Sequence, residues 1–85
     1  MRVKIADGVT YGKVGDEAIL SNKDRALKLD DQAIMLWEMI MKGYDEDKMI
    51  SHFVALYPNQ KELVTNDIKA FFATLYAEQI IEKRD

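Results

Sequence analysis

The sequence predicts an α+β domain with a three-stranded antiparallel sheet first and three α-helices after it. Three observations lead there. Three of the four glycines fall within the first fifteen residues, which marks a strand-and-turn beginning. From about residue 30 the hydrophobic period changes from two to about 3.6. Gly43 and Pro58 then cut the helical part into three segments.

Residues 2–29 read as short strands. Val3 and Ile5 alternate with Arg2 and Lys4, and Val9 to Val14 is a second, weaker run. Glu17 to Ser21 is a compact apolar run, and the polar turn Ser21-Asn22-Lys23-Asp24 leads into Arg25 to Leu29. Leu27 and Leu29 share one face of that last strand and Lys28 takes the other. A lone hairpin is marginal in water, so this one must pack on the helices.

Asp30 is a good N-cap for a first helix over about 31–42, with Ala33, Leu36, Trp37, Ile40 and Met41 as its apolar stripe. Gly43 sits where a left-handed residue ends a helix. Asp45 caps the next helix, with Tyr44 placed to staple onto Met49, and Glu46 and Asp47 favour the positive end of its dipole. Ile50, Phe53, Leu56 and Tyr57 make its inner face, and Pro58 stops it. Asn59-Gln60-Lys61-Glu62 reads as a capping box for a third helix over about 60–79. Val64, Ile68, Phe71 and Leu75 form its core stripe, and Phe72 and Tyr76 lie on one flank. Ile80 and Ile81 close the fold before a charged tail, Glu82 to Asp85. A sheet followed by three closely spaced helices is the outline of a winged helix-turn-helix with the sheet placed first.

Composition limits the chemistry. The 85 residues make one domain, 1–85, which by size scaling buries about 60–65% of the surface of the unfolded chain. There is no cysteine and one histidine, His52, so neither a thiolate nucleophile nor a Cys/His metal site can be built from this chain. No paired-carboxylate site is readable from spacing, and no Asp-Ser-Leu attachment serine opens a helix. The expectation is a protein that is not an enzyme and needs no cofactor. Twelve basic residues face fifteen acidic ones, and residues 44–85 carry the whole net charge of −3. The third helix, the one a winged helix would place in a groove, carries Glu62, Asp67 and Glu78 against Lys61 and Lys69. Phosphate binding would lack its electrostatic term, so a DNA-binding winged helix is the weaker alternative. No apolar run is long enough for a membrane span. The opening residues lack the apolar core of a signal peptide, so a cytoplasmic address is expected.

The order of the residues also carries a resemblance. Ile19-Leu20, a polar turn at 21–24, Leu29-Asp30, Leu36-Trp37, Gly43, Tyr57, Asp67-Ile68, Phe71-Phe72 and Leu75 follow one another as in a known pattern. Over about residues 9–81 the chain resembles the PqqD-like family, also called RiPP recognition elements. Two positions depart from the pattern. Leu-Asn becomes Leu29-Asp30, and the closing glycine becomes Gln79, ahead of Ile80-Ile81. The resemblance implies a stand-alone, non-catalytic module. It would bind the leader peptide of a ribosomally made precursor and present it to a separate modifying enzyme: a lasso-peptide leader peptidase or cyclase, or a radical SAM enzyme. The Trp37 helix and the short N-terminal segment favour the lasso type. The resemblance also implies the mode of binding. The leader adds as a further antiparallel strand on Arg25, Ala26, Leu27, Lys28 and Leu29, against a third-helix wall of Ile68, Lys69, Phe72 and Tyr76.

Other readings stand beside these. Phe72 and Tyr76 either line a pocket or complete the core. Arg25 and Lys28 either pair with acidic leader residues or protect a solvated edge. Asp67 reads as structural and Trp37 as the core anchor. The methionines read as core filler, and Asp45-Glu46-Asp47 as helix-end charges rather than a Ca²⁺ loop.

Overall fold

The computed structural model describes residues 2–84. Its elements are β1 (Arg2–Ile5), β2 (Thr10–Val14), β3 (Glu17–Asn22), β4 (Arg25–Leu29), α1 (Asp31–Met41), α2 (Glu46–Leu56), a 3₁₀ turn (Pro58–Gln60), α3 (Lys61–Ala77) and β5 (Ile81–Arg84). β2, β3 and β4 form an antiparallel meander in that order, with Leu20 opposite Tyr11 on one side and Leu27 on the other. The expected three-stranded sheet and three helices are therefore present.

The ends of the chain depart from the expectation. Glu82 to Arg84 are not a tail. They belong to β5, which pairs antiparallel with β1 to make a second, two-stranded sheet, Ile5 opposite Ile81 and Val3 opposite Lys83. The Ala6 amide extends the ladder to the Ile80 carbonyl at 2.9 Å. The partner strand is some 80 residues away in sequence, so no local pattern around Glu82 could announce it. Asp85, the last residue of the expected tail, lies outside the described residues.

The helix ends follow from local chemistry. Asp30 and Asp45 each accept a bond from the amide three residues on, Ala33 and Lys48, both at 2.8 Å. Gly43, at φ +102°, ends α1 in a Schellman motif, with its own amide on the Ile40 carbonyl and that of Tyr44 on Met39. α3 ends the same way. The Gln79 amide bonds Tyr76 and the Ile80 amide bonds Leu75, with Gln79 at φ +60°. The start of α3 differs from the expected capping box. Pro58 sets a 3₁₀ turn instead, and Gln60 makes no side-chain cap.

The core lies between the inner face of the meander and the three helices. Ala18, Leu20 and Leu29 meet Ile34, Leu36, Trp37, Ile40, Met49, Ile68, Phe72, Leu75, Ile80 and Ile81. Trp37 is its largest member, as expected. Three apolar positions read as inward-facing are instead exposed: Met41, Leu56 and Tyr57. Each sits at or just beyond a helix end, where the stripe runs past the edge of the core.

Candidate functional site

The two edges of the meander are β2 and β4, and no strand among the described residues pairs with the outer side of β4. Its hydrogen-bonding pattern follows from the turn. Lys23-Asp24 is a two-residue connection closed by the Asn22–Arg25 pair. In an antiparallel ladder the closing pair is hydrogen-bonded and the pairs then alternate. Arg25, Leu27 and Leu29 therefore direct their backbone groups at β3. Ala26 and Lys28 direct theirs outward, and among the described residues no strand pairs with them.

Two contacts fix this edge against α3. The Asn22 amide nitrogen donates to the Gln79 carbonyl at 2.6 Å, and the Arg25 guanidinium stands 3.5 Å from the Glu78 carboxylate. Asn22 is 5% exposed, so the first contact is sheltered, whereas the ion pair is partly open to water. At the other end of β4, Asp30, Ala33 and Leu36 face Asp67, Ala70 and Phe71 across a pocket of about 270 Å³. β4 thus runs antiparallel to α3, from Glu78 toward Asp67. The helix face along the strand edge is Asp67, Ala70, Phe71, Thr74 and Glu78, spaced as one side of a helix.

The residues expected on the helix wall are therefore placed differently. Phe72 is fully buried and Ile68 is 3% exposed, so both belong to the core. Tyr76 lies on the opposite flank, in a cleft with Asn22, Lys23, Ala73, Glu82 and Lys83, and the Lys83 ammonium sits 5.9 Å from its ring centroid. Burial, and secondarily the Glu46 carboxylate, push its phenol above the usual tyrosine range. Lys69 is exposed and, by helical spacing, shares the Tyr76 side. Phe71 replaces Phe72 as the aromatic beside the strand edge. The reason is phase. The buried residues Ile68, Phe72 and Leu75 put the centre of the core about 40° nearer Phe72 than the stripe of Val64, Ile68, Phe71 and Leu75 implies. Asp67 sits on the Phe71 side of the wheel, so the sequence already placed it on the helix face that lies along the strand edge.

On the strand, Leu29 is buried and Leu27 half-buried, both facing inward, while Ala26 and Lys28 face out. The Lys28 ammonium holds Glu17 at 3.1 Å on the solvent side of the sheet. Among the described residues no group of three or more His, Asp or Glu side chains is arranged to hold a metal. No helix there is long and apolar enough to cross a membrane.

A sheet edge beside a helix groove is the geometry that strand-accepting recognition domains use. Residues 17–81 match the family described as Coenzyme PQQ synthesis protein D (PqqD), and the chain belongs to that family. Its fold is similar to a solved structure described as TbiB1 in complex with the TbiA(beta) leader peptide. The TM-score is 0.78 at 21% identity, over 96% of this chain and 98% of the other. No curated protein matches the chain.

Proposed function

We propose that this chain is a non-catalytic recognition element. It captures the leader peptide of a ribosomally made precursor by β-strand addition to β4 and presents the remainder to a separate modifying enzyme, a peptidase, a cyclase or a radical SAM enzyme. One observation carries the reading: among the described residues the outer edge of β4, with the outward backbone groups of Ala26 and Lys28, has no partner strand and lies beside α3, where the Asn22–Gln79 and Arg25–Glu78 contacts join sheet and helix end. Family membership and the leader peptide named in the similar TbiB1 structure support it. Backbone pairing sets affinity and register, and side chains entering the groove against Phe71 and Ala70 set specificity. Tethering then raises the effective concentration of the precursor at the enzyme. The winged helix-turn-helix likeness belongs to this proposal as a matter of element order. Its DNA-binding use finds no support in the acid face of α3.

The test uses synthetic leader peptides of short precursors encoded beside this gene. Lys28→Pro removes an outward N–H and no bond of the β3–β4 ladder, so it should leave the fold intact and weaken binding by about 1–3 kcal/mol. Backbone amide shifts on binding should concentrate at residues 25–29 and on the Asp67–Glu78 face. A leader that binds wild type and Lys28→Pro equally would refute strand addition at this edge.

A further inference from the structure

The cleft that holds Tyr76 stands apart from the leader groove, on the other flank of α3. It measures about 850 Å³ and lies between α3, the β3–β4 turn and β5. Ala73, Tyr76 and Ile81 supply its apolar surface, and Lys23 and Lys83 bring ammonium groups to it. Its two carboxylates, Asp7 and Glu82, are both engaged by Lys4, at 3.9 and 3.7 Å. Among the described residues neither Lys23 nor Lys83 has an ion-pair partner. Lys69 shares this flank by helical spacing. Glu46, the other carboxylate near Tyr76, belongs to the first turn of α2, where the positive end of the helix dipole offsets it. On a chain of net charge −3, this flank therefore carries unanswered positive charge.

Strand polarity says what passes this end of the molecule. A peptide pairing antiparallel with β4 runs from Leu29 toward Arg25, so its downstream side leaves the edge at the Lys23-Asp24 turn, beside Gln79. Asn22, Lys23 and Gln79, the residues at that exit, also line the cleft. A helix is about 10–12 Å across with its side chains, a width that three or four residues of extended chain cover. An enzyme docked in the cleft thus meets the precursor within a few residues of the strand-paired segment, and a leader in the groove leaves the cleft uncovered. Resting on the peptide-binding reading above, we propose that the cleft lined by Lys23, Tyr76 and Lys83 docks an acidic segment of the separate modifying enzyme while the leader occupies β4. Carboxylates of that segment meet Lys23 and Lys83, and an apolar side chain beside them packs on Tyr76 and Ile81. Asp30, Asp31 and Asp67, at the other end of β4, repel such a segment, so charge steers the enzyme to the exit end.

The probe is the modifying enzyme encoded beside this gene, titrated onto the full chain with and without a saturating leader peptide. The variants are Lys23→Glu, Lys83→Glu and the two combined. Both lysines are exposed, so each variant should melt as wild type does, and circular dichroism checks this. Wild type should bind the enzyme with the leader in place. The double variant should bind it about tenfold or more weakly, with leader affinity unchanged. Raising salt from about 50 to about 500 mM should weaken the wild-type complex and change the double variant's little. Zero-length carbodiimide coupling should join Lys23 or Lys83 to an aspartate or glutamate of the enzyme, located by peptide mass spectrometry. An enzyme that binds wild type and the double variant equally, or binds neither, overturns the docking site and leaves strand addition standing. Leader affinity that falls on the double variant, or coupling of these lysines to the precursor, would assign the cleft to the peptide and overturn the proposal. A leader indifferent to Lys28→Pro overturns strand addition, and with it the place of the docking site at the exit.

Discussion

Replacing Gln79 by glycine should stabilise the protein. Gln79 is the left-handed residue of the Schellman motif that ends α3, at φ +60°, where Gly43 serves the same role after α1. An L-residue in this region costs roughly 1–2 kcal/mol, and glycine removes that cost. Glycine also loosens the unfolded chain, which takes back about 0.4–1 kcal/mol. The bonds made here are backbone bonds: Gln79 amide to Tyr76, Ile80 amide to Leu75, and Asn22 to the Gln79 carbonyl. All survive the substitution, and the Gln79 side chain is exposed, so little burial is lost. The balance is a gain of about 0.5–1 kcal/mol. For a domain of this size that raises the melting temperature by roughly 2–8 °C. Urea unfolding should show a higher midpoint at unchanged slope. Gly43→Ala is the control, and it should lose stability, because an added Cβ there meets nothing within 4 Å and only the backbone conformation is penalised. A Gln79→Gly variant as stable as wild type or less so would refute the reasoning, and would mean that the Gln79 side chain contributes more than its exposure implies.

Other outcomes follow from the same structure. Trp37→Ala should cost about 3–5 kcal/mol, because the ring is 1% exposed at the centre of the core; a variant melting within a few degrees of wild type would deny Trp37 that place. Phe71→Ala should weaken leader binding by about 1–3 kcal/mol, whereas Tyr76→Ala, on the opposite flank, should leave affinity near wild type; calorimetric titration of both variants with one leader decides between the two helix faces. Tyr76 has its folded-state pKa above the ordinary tyrosine value of 10.0, through burial first and Glu46 second. The fold therefore favours the neutral phenol. That contribution is complete below the unfolded pKa and is lost as pH rises through the folded one. Stability should fall above about pH 10 more steeply in wild type than in Tyr76→Phe, read as melting temperature against pH.

The strands of the meander, the three helices, the two aspartate caps, the turn at Gly43 and the central Trp37 were legible in the sequence, because each depends on neighbours within a few residues. Period, capping oxygen and turn residue act locally, and the chain carries them in plain order. The open edge at Arg25 to Leu29 was legible as an expectation from the order of motifs. Tertiary structure alone decided the rest. The pairing of β5 with β1 joins the two ends of the chain, and a run such as Ile-Glu-Lys-Arg has no strand pattern until its partner is in place. Which aromatic of Phe71 and Phe72 faces the groove depended on a rotation of about 40° of α3. Packing of Ile68, Phe72 and Leu75 against the sheet sets that rotation, and a helical wheel fixes angles within one helix but has no zero relative to its neighbours. The latch from Asn22 to Gln79, which spaces the strand edge from the helix, joins residues 57 apart in sequence and exists only once both have been brought together.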